Sequence, residues 1–342
     1  MNTKATASAL ALLVVAGGAM AQDAGNGPFS AEFVIELQND WTFDSTDPAA
    51  EFNNTFATIE GALSFSFTQN TSVNATLVFE QITGPTDDSF LEDHGLYAEE
   101  LYFAHDFGGA QVVLGKFNPA FGVAWDAAPG IYGVDFAEDY EITEKLGGAI
   151  IVPFEAAGGS HEVSFAAFQA DRTILSDSLG EERGLTSLPM GGVSNTDGVE
   201  SFALSLSGEF GATGYNLGIQ HQGRGAGDAA DQTGAVFGIT HAVEAGSFPF
   251  ELLAEVAWFD EFDGTTNSAT YGTVGISAPI GPVTVSGVYS VRDVQTMPTD
   301  RLATISAEME LFGGLTGALG YRFGREGGVK SQTIGTLLVY EF

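Results

Sequence analysis

The sequence contains no cysteine among its 342 residues, so neither a disulfide framework nor a thiolate metal site is available to it. Basic residues are also scarce, because 11 Lys and Arg stand against 45 Asp and Glu, and the net charge is −34 at pH 7. Nucleic-acid binding rests on Lys and Arg, so nucleic acid is not an expected partner. The 44% of hydrophobic residues and the 11% of aromatic residues favour a folded chain over an acidic disordered one.

Long hydrophobic runs are missing as well. Beyond residue 21 no apolar run reaches the length of about 18 residues that indicates a transmembrane helix. The short run ALALLVVAGGAM follows Lys4 and ends in the small residues AMA, a pattern that predicts an export signal over residues 1–21. A membrane anchor, the alternative, requires about 20 apolar residues. We therefore expect a signal peptide at 1–21 and a single domain over 22–342.

The repeating feature of the remaining chain is an alternation of apolar and polar residues. In FSAEFVIELQ, for example, one face carries Phe29, Ala31, Phe33, Ile35 and Leu37. The segments ALSFSFT, VNATLVFE, PVTVSGVYSV and ATISAEMEL follow the same period of two, and no long segment follows the helical period of 3.6. This pattern predicts an all-β protein.

The connections between these segments alternate between two lengths. Minimal turns rich in Gly or Asn, such as 108–110, 211–214 and 313–314, are typical of hairpins. Longer polar connections are expected at about 40–54, 83–95, 118–145, 171–197, 224–232, 261–268, 293–300 and 325–329. The count gives about sixteen strands of roughly ten residues each, and it predicts a transmembrane antiparallel up-and-down β-barrel with both termini on the periplasmic side.

A soluble sandwich or barrel is the alternative architecture. The apolar face carries many single Phe, Leu and Val residues, as a wall facing lipid requires. The opposite face consists of Ser, Thr, Glu and Gly, which suits a wet lumen better than a packed core. Both observations favour the membrane barrel over the soluble fold.

The last strand and one internal segment resemble known outer-membrane proteins. The strand TIGTLLVYEF places Tyr340 and Phe342 in the position of an aromatic girdle, and a terminal Phe resembles the assembly signal of bacterial outer-membrane proteins. The segment FGGAQVVLGKFNPAFGVAWDA (107–127) resembles the general trimeric porins of Gram-negative bacteria. This resemblance implies a homotrimer in outer-membrane lipid, inserted by the barrel-assembly machinery. The strand count places Val112–Phe117 as the fifth strand, where that family has it.

In that family the third external loop folds inward and constricts the pore, which implies the same for residues 118–145 here. Lys116 matches the family's basic position before the loop. Arg292 and Arg322 alternate with outward residues on late strands and are candidate basic residues of the pore. The acidic residues expected at the constriction are Asp126, Asp135, Glu138, Asp139 and Glu141.

The wall that faces the loop departs from the family pattern. The family carries Arg and Lys on its early strands, whereas the lumen-facing candidates here include no basic residue. They are Glu32, Glu36, Thr58, Glu60, Ser64, Asn74, Thr76 and Glu80.

A solvated surface loop is the alternative for residues 118–145. Six aromatic residues in and beside this stretch argue against it, because aromatic side chains stabilise a loop only where they are buried. They are Phe117, Phe121, Trp125, Tyr132, Phe136 and Tyr140.

Motifs of catalysis and cofactor binding fail on spacing. GAQVVLGK has five residues between its glycines where a phosphate loop has four, and no Gly-x-Ser-x-Gly occurs. The segments DEFDG (260–264) and NTDG (195–198) lack the twelve-residue calcium pattern, so only opportunistic Ca²⁺ between loop carboxylates stays open. We expect no enzyme and no cofactor.

The function predicted from the sequence is that of a cation-preferring diffusion porin for small hydrophilic solutes. A substrate-selective outer-membrane channel, for example one tuned to a particular cationic solute or metabolite, is the first alternative. A non-conducting structural or adhesive surface barrel is the second.

Overall fold

The computed structural model describes residues 27–246 and 248–342, and the predicted signal peptide 1–21 lies outside them. Sixteen strands form the wall. They are β1 Phe29–Ser45, β2 Asn53–Thr68, β3 Thr71–Gln81, β4 His94–Asp106, β5 Gln111–Phe117, β6 Lys145–Ala156, β7 Gly159–Ala170, β8 Ser201–Phe210, β9 Thr213–Gln222, β10 Gln232–Ala245, β11 Phe248–Asp260, β12 Ala269–Ile280, β13 Val283–Val294, β14 Asp300–Phe312, β15 Leu315–Glu326 and β16 Val329–Glu341.

Each wall strand pairs antiparallel with the next along the chain, and β16 pairs back onto β1. The closing ladder runs from Val34 opposite Glu341 to Ser45 opposite Ser331. Two additional strands of two residues, Ser89–Phe90 and Leu179–Gly180, pair with β2 and β4 respectively. The prediction of a closed antiparallel barrel of sixteen strands, with the fifth ending at Phe117, is confirmed.

The two faces of the wall differ in polarity, as the alternation predicted. On β8, Phe202 and Leu204 are exposed on the outside, whereas Ser201 and Ser205 are buried on the inner face. On β1, Glu36 lies between the exposed side chains of Ile35 and Leu37. Its partner is Thr58, so the inner polar row continues from β1 to β2.

Two predicted loop boundaries are wrong. β1 continues to Ser45 and β2 begins at Asn53, so only residues 46–52 join them, not 40–54. The end of β1 is rich in polar residues, and this composition is typical of a loop. In the structure their side chains alternate between the two faces of the strand. At 325–329, only Gly327 and Gly328 separate β15 from β16, and their φ angles of 57° and 88° allow the tight turn.

Strand length also differs from the expected ten residues, because β5 has 7 residues and β1 has 17. β5 is short because the chain leaves the wall after Phe117. The wall height at that point is therefore lower than along β1.

Among the residues that the structure describes, helical segments are few and short. They are α1 Ala124–Ala127 and the 3₁₀ turns Pro48–Ala50, Glu138–Tyr140, Ile174–Ser176, Leu188–Met190 and Phe262–Gly264. Within the described ranges, none of the helices has the length and apolar character needed to cross a membrane.

The C-terminal residue contributes to closure of the barrel. Phe342 N–H donates to the Phe33 carbonyl (3.1 Å), and Phe33 N–H donates to the Phe342 carbonyl (3.0 Å). The two rings stack with centroids 5.5 Å apart. Each such backbone hydrogen bond contributes about 1 kcal/mol.

Deletion of Phe342 is therefore expected to lower the amount of folded barrel severalfold, because the closing seam loses both hydrogen bonds and the stacked ring. The folded fraction is measured from the mobility of unheated samples in detergent gels. Phe312→Ala, at an exposed aromatic residue at the end of β14, serves as the control and should fold normally. Folding of the deletion variant at the wild-type level would contradict the role of this residue.

Candidate functional site

The connection between β5 and β6, residues 118–144, is called the acidic loop below. Its boundaries differ from the prediction by one residue, because Lys145 already belongs to β6. Phe121, Tyr132, Phe136 and Tyr140 are buried, and Trp125 packs against the same core at its edge. The predicted burial of the aromatic residues is confirmed, so the loop packs against protein along its length.

The base of the acidic loop is closed by polar contacts. Asn118 N–H donates to Glu100 (3.1 Å), and the Asn118 side-chain amide donates to Glu99 (2.7 Å). The same side chain accepts from Glu144 N–H at the far end of the loop (2.8 Å). One asparagine thus joins both ends of the loop to β4.

Lys116 lies beside this base and is only 1% exposed. Its ammonium group donates to Glu144 (2.8 Å) and to the Leu175 carbonyl (2.8 Å), and Asp171 lies 3.3 Å away. A buried lysine requires such partners, since an unpaired buried charge is costly. Lys116 thus connects the acidic loop to the segment that follows β7.

Two predicted basic residues bind two predicted acidic residues. Arg322 on β15 pairs with Asp135 (2.8 Å), and Arg292 on β13 pairs with Asp139 (2.6 Å). Arg292 also pairs with Asp300 (2.9 Å). The charges of Asp135 and Asp139 are therefore compensated locally by the wall.

The tip of the loop reaches further strands. Tyr132 hydroxyl donates to Asp40 on β1 (2.7 Å), and Ile131 N–H donates to the Ser306 hydroxyl on β14 (3.2 Å). At the start of the loop, Gly122 N–H donates to Asn216 on β9 (3.2 Å). The loop therefore contacts the late half of the wall, from β9 round to β1.

The remaining predicted carboxylates lie in a different environment. Asp126 and Glu141 are close to each other and to Glu255 on β11, a residue that the sequence analysis missed. Burial, with repulsion from Glu255, raises the pKa of Asp126 to about 7. Burial, with repulsion from Asp126 and Glu255, raises the pKa of Glu141 well above its ordinary value.

Glu138 faces other carboxylates. Desolvation by the enclosing barrel, with repulsion from Asp135, Asp139 and the β3 residue Glu80, raises its pKa to about 7, although the side chain itself is exposed. Burial likewise raises the pKa of Asp135, to about 6, against the opposing effect of Arg322. Because the pKa values of Asp126 and Glu138 are raised to about 7, these two carboxylates of the acidic loop protonate near neutral pH.

The early strands carry carboxylates and no basic side chain, since the sequence has neither Lys nor Arg between Lys4 and Lys116. Their inner face includes Glu36, Glu60, Glu80, Glu99 and Glu100. The sequence analysis identified the first three of these. Glu99 and Glu100 were not predicted, because Glu99 is an extra, bulged residue of β4 opposite the step from Thr76 to Leu77 on β3, and it shifts the alternation there.

Arg183, in the segment between β7 and β8, brings a positive charge toward this wall. Its guanidinium lies 3.9 Å above the ring of Tyr97, whose hydroxyl donates to Glu80 (2.7 Å). The same guanidinium binds Glu144 through both terminal nitrogens. Nothing in the local sequence indicated this role, because the contact joins two loops.

Two cavities of about 400 and about 580 Å³ adjoin the acidic loop. The smaller is lined by Asp126, Glu209, Glu251 and Glu308 among neutral residues. The larger is lined by Glu100, Asp126, Glu141, Glu155, Glu162 and Glu209 together with neutral side chains. Neither lining includes Lys or Arg, so both cavities carry negative charge.

In the described part of the chain, no group of three or more His, Asp or Glu side chains is arranged to hold a metal ion. The described residues therefore offer no support for the opportunistic Ca²⁺ site that the sequence left open.

Comparisons with known proteins identify the fold. No protein-family model matches this chain, and no curated protein matches it. Among solved structures, the outer membrane channel DcaP of Acinetobacter baumannii is 11% identical with a TM-score of 0.62, over 93% of this chain and 99% of that chain. OprB of Pseudomonas putida is 9% identical with a TM-score of 0.68, over 92% and 94% of the two chains.

A mutant of Rh. blastica porin is 13% identical with a TM-score of 0.59, over 92% of this chain and 100% of that chain. Identities this low establish the fold alone. The resemblance to porins stated from the sequence is confirmed at that level: this chain folds as the barrel of outer-membrane porins and channels.

Proposed function

We propose that the protein is an outer-membrane porin whose water-filled channel prefers cations and passes small hydrophilic solutes by diffusion. The observation that carries this proposal is the distribution of charge. Carboxylates lie on the acidic loop and on the inner face of the early strands, whereas the basic residues of the late wall are bound to carboxylates. The apolar outer face and the porin fold support a location in the outer membrane.

In the proposed pore, the acidic loop lies within the lumen against the late half of the wall. Its contacts with Asn216, Ser306 and Asp40 support this position, because these side chains lie on strands spread from β9 to β1. The open passage then runs between the loop and the early strands. Glu138 borders it on one side and Glu80 on the other.

The electrostatics of such a passage favour cations. A charged group in a narrow wet lumen with low-dielectric walls has its field focused across the opening. Rings of carboxylates at a constriction attract cations and repel anions. Arg292 and Arg322 do not reverse this sign, because Asp135, Asp139, Asp300 and Glu326 surround them.

The trimer, the assembly machinery and the export signal belong to the same proposal. The porin fold and the terminal Phe342 support them. A channel selective for one cationic solute is the second candidate function, favoured by carboxylates on both sides of the passage. Its signature would be a small conductance that a single solute blocks.

The reversal potential across a KCl gradient tests the proposal. Wild type is expected to prefer potassium, and Glu138→Gln with Glu80→Gln should lower the cation-to-anion permeability ratio severalfold, since both sides of the passage lose charge. The ratio should also fall between 0.1 M and 1 M salt, because the Debye length shortens from about 10 Å to about 3 Å. Asp87→Asn, in an exposed loop, is the control. A wild-type preference for chloride, or no ohmic current, would refute the proposed function.

The selectivity should depend on pH with a defined sign. Asp126 and Glu138 have pKa values near 7, so lowering the pH from 8 to 5 protonates them and removes negative charge. The cation preference is therefore expected to decrease as the pH falls through 7. Reversal potentials measured at each pH check this, and Asp126→Asn with Glu138→Gln should flatten the curve. Selectivity that increases on acidification would show that other groups control it.

A further inference from the structure

Glu255 is a buried carboxylate on the inner face of β11 and is only 4% exposed. None of the ion pairs found among residues 27–246 and 248–342 includes it. Its closest acidic neighbours, Asp126 and Glu141, repel it. A carboxylate in this setting is costly unless hydrogen-bond donors compensate for the lost water.

Both donors come from the acidic loop. Val123 N–H donates to Glu255 (2.6 Å) just before helix α1, and Tyr140 hydroxyl donates to its other oxygen (2.6 Å). Hydrogen bonds to a carboxylate are about twice as strong as neutral ones. One wall residue therefore holds two points of the loop that are 17 positions apart and closes the segment between them into a compact loop.

The surroundings make this contact rigid. The Tyr140 ring packs against Tyr271, with centroids 4.9 Å apart, and against Phe259 at 5.9 Å. Gly238 lies opposite Glu255 on β10, where an added Cβ would come within 2.6 Å of its carboxylate and into contact with Val123. The approach of loop to wall at this point requires glycine.

The ion pairs that join the middle of the loop to the late wall are more open to water. Asp135 and Asp139 are 25% and 30% exposed in their ion pairs with arginine, so salt and pH weaken those contacts. Glu255 is shielded from solvent, so salt screens its two hydrogen bonds less. It is therefore the fixed point of the loop.

We propose that Glu255 is the positioning residue of the acidic loop, and that its two hydrogen bonds hold the loop against β11 and set the width of the passage. This inference rests on the proposed function, since it requires that the loop border a conducting lumen. Glu255 acts through Val123 and Tyr140 and does not contact the solute.

Single-channel recording tests the inference. Glu255→Ala is expected to raise the current noise of the open channel severalfold and to spread the conductance over several levels, because the loop detaches from β11. Tyr140→Phe, which removes one donor and keeps the ring, should give a smaller increase. Asp260→Asn is the matched control, because it removes an exposed carboxylate from the same strand, and its current should stay quiet. Quiet, single-level currents from Glu255→Ala would overturn the inference.

A reversible disulfide between the loop and the wall distinguishes displacement of the acidic loop from loss of the Glu255 charge. Val123→Cys with Gly238→Cys places two thiols in contact in a chain without native cysteine, and Glu255→Ala in the same variant makes room for the new side chain. Oxidation should restore the quiet current, and reduction should abolish the rescue. Noise that persists in the oxidised protein would contradict the positioning role.

If Glu255→Ala does not fold, Glu255→Ser with the same two cysteines takes its place with the same expectations, because its short side chain also leaves room beside position 238. The result is independent of selectivity. A wild-type channel that prefers chloride would refute the proposed function. Noise in Glu255→Ala that the disulfide suppresses would still support the positioning role of Glu255.

Discussion

The ladder between β1 and β16 is the constraint on which the rest of the structure depends. A strand that borders lipid has no water to satisfy its backbone, so every strand requires a partner on both sides and the sheet must close. The pairing from Val34–Glu341 to Ser45–Ser331 provides this closure. Once the sheet is closed, the alternation of side chains along each strand gives an apolar exterior and a polar interior. The same sequence period therefore sets the fold and the chemistry of the inner face.

A polar interior in turn determines how a long loop binds to it. The acidic loop places its aromatic side chains in a buried core and satisfies its polar groups with wall residues, among them Arg322, Ser306 and Glu255. The wall carries few basic side chains, and the two arginines of its late half that bind the loop, Arg292 and Arg322, are already paired with wall carboxylates. Burial of like charges then favours protonation of the loop carboxylates near neutral pH. In the proposed pore, one arrangement thus fixes both the position of the loop and its sensitivity to acid.

The barrel could be predicted from the sequence because period-two alternation and glycine turns are local signals. Strand ends were harder, since the polar inner residues near the end of β1 resemble a loop and a bulge displaces Glu99 and Glu100. The candidate residues Asp135, Asp139, Arg292 and Arg322 were identified, but their pairing was not, because it joins positions 187 and 153 apart. Glu255 was missed because its role depends entirely on the loop that packs against it.

The central claim is that the acidic loop borders the conducting passage. Glu138→Cys, in a chain with no other cysteine, allows a direct measurement with a positively charged thiol reagent applied to single channels. We expect a stepwise fall in current and a shift of the reversal potential toward chloride, whereas Ala229→Cys on an exposed loop should give no change. Complete modification of residue 138, verified by mass, with unchanged current would contradict it.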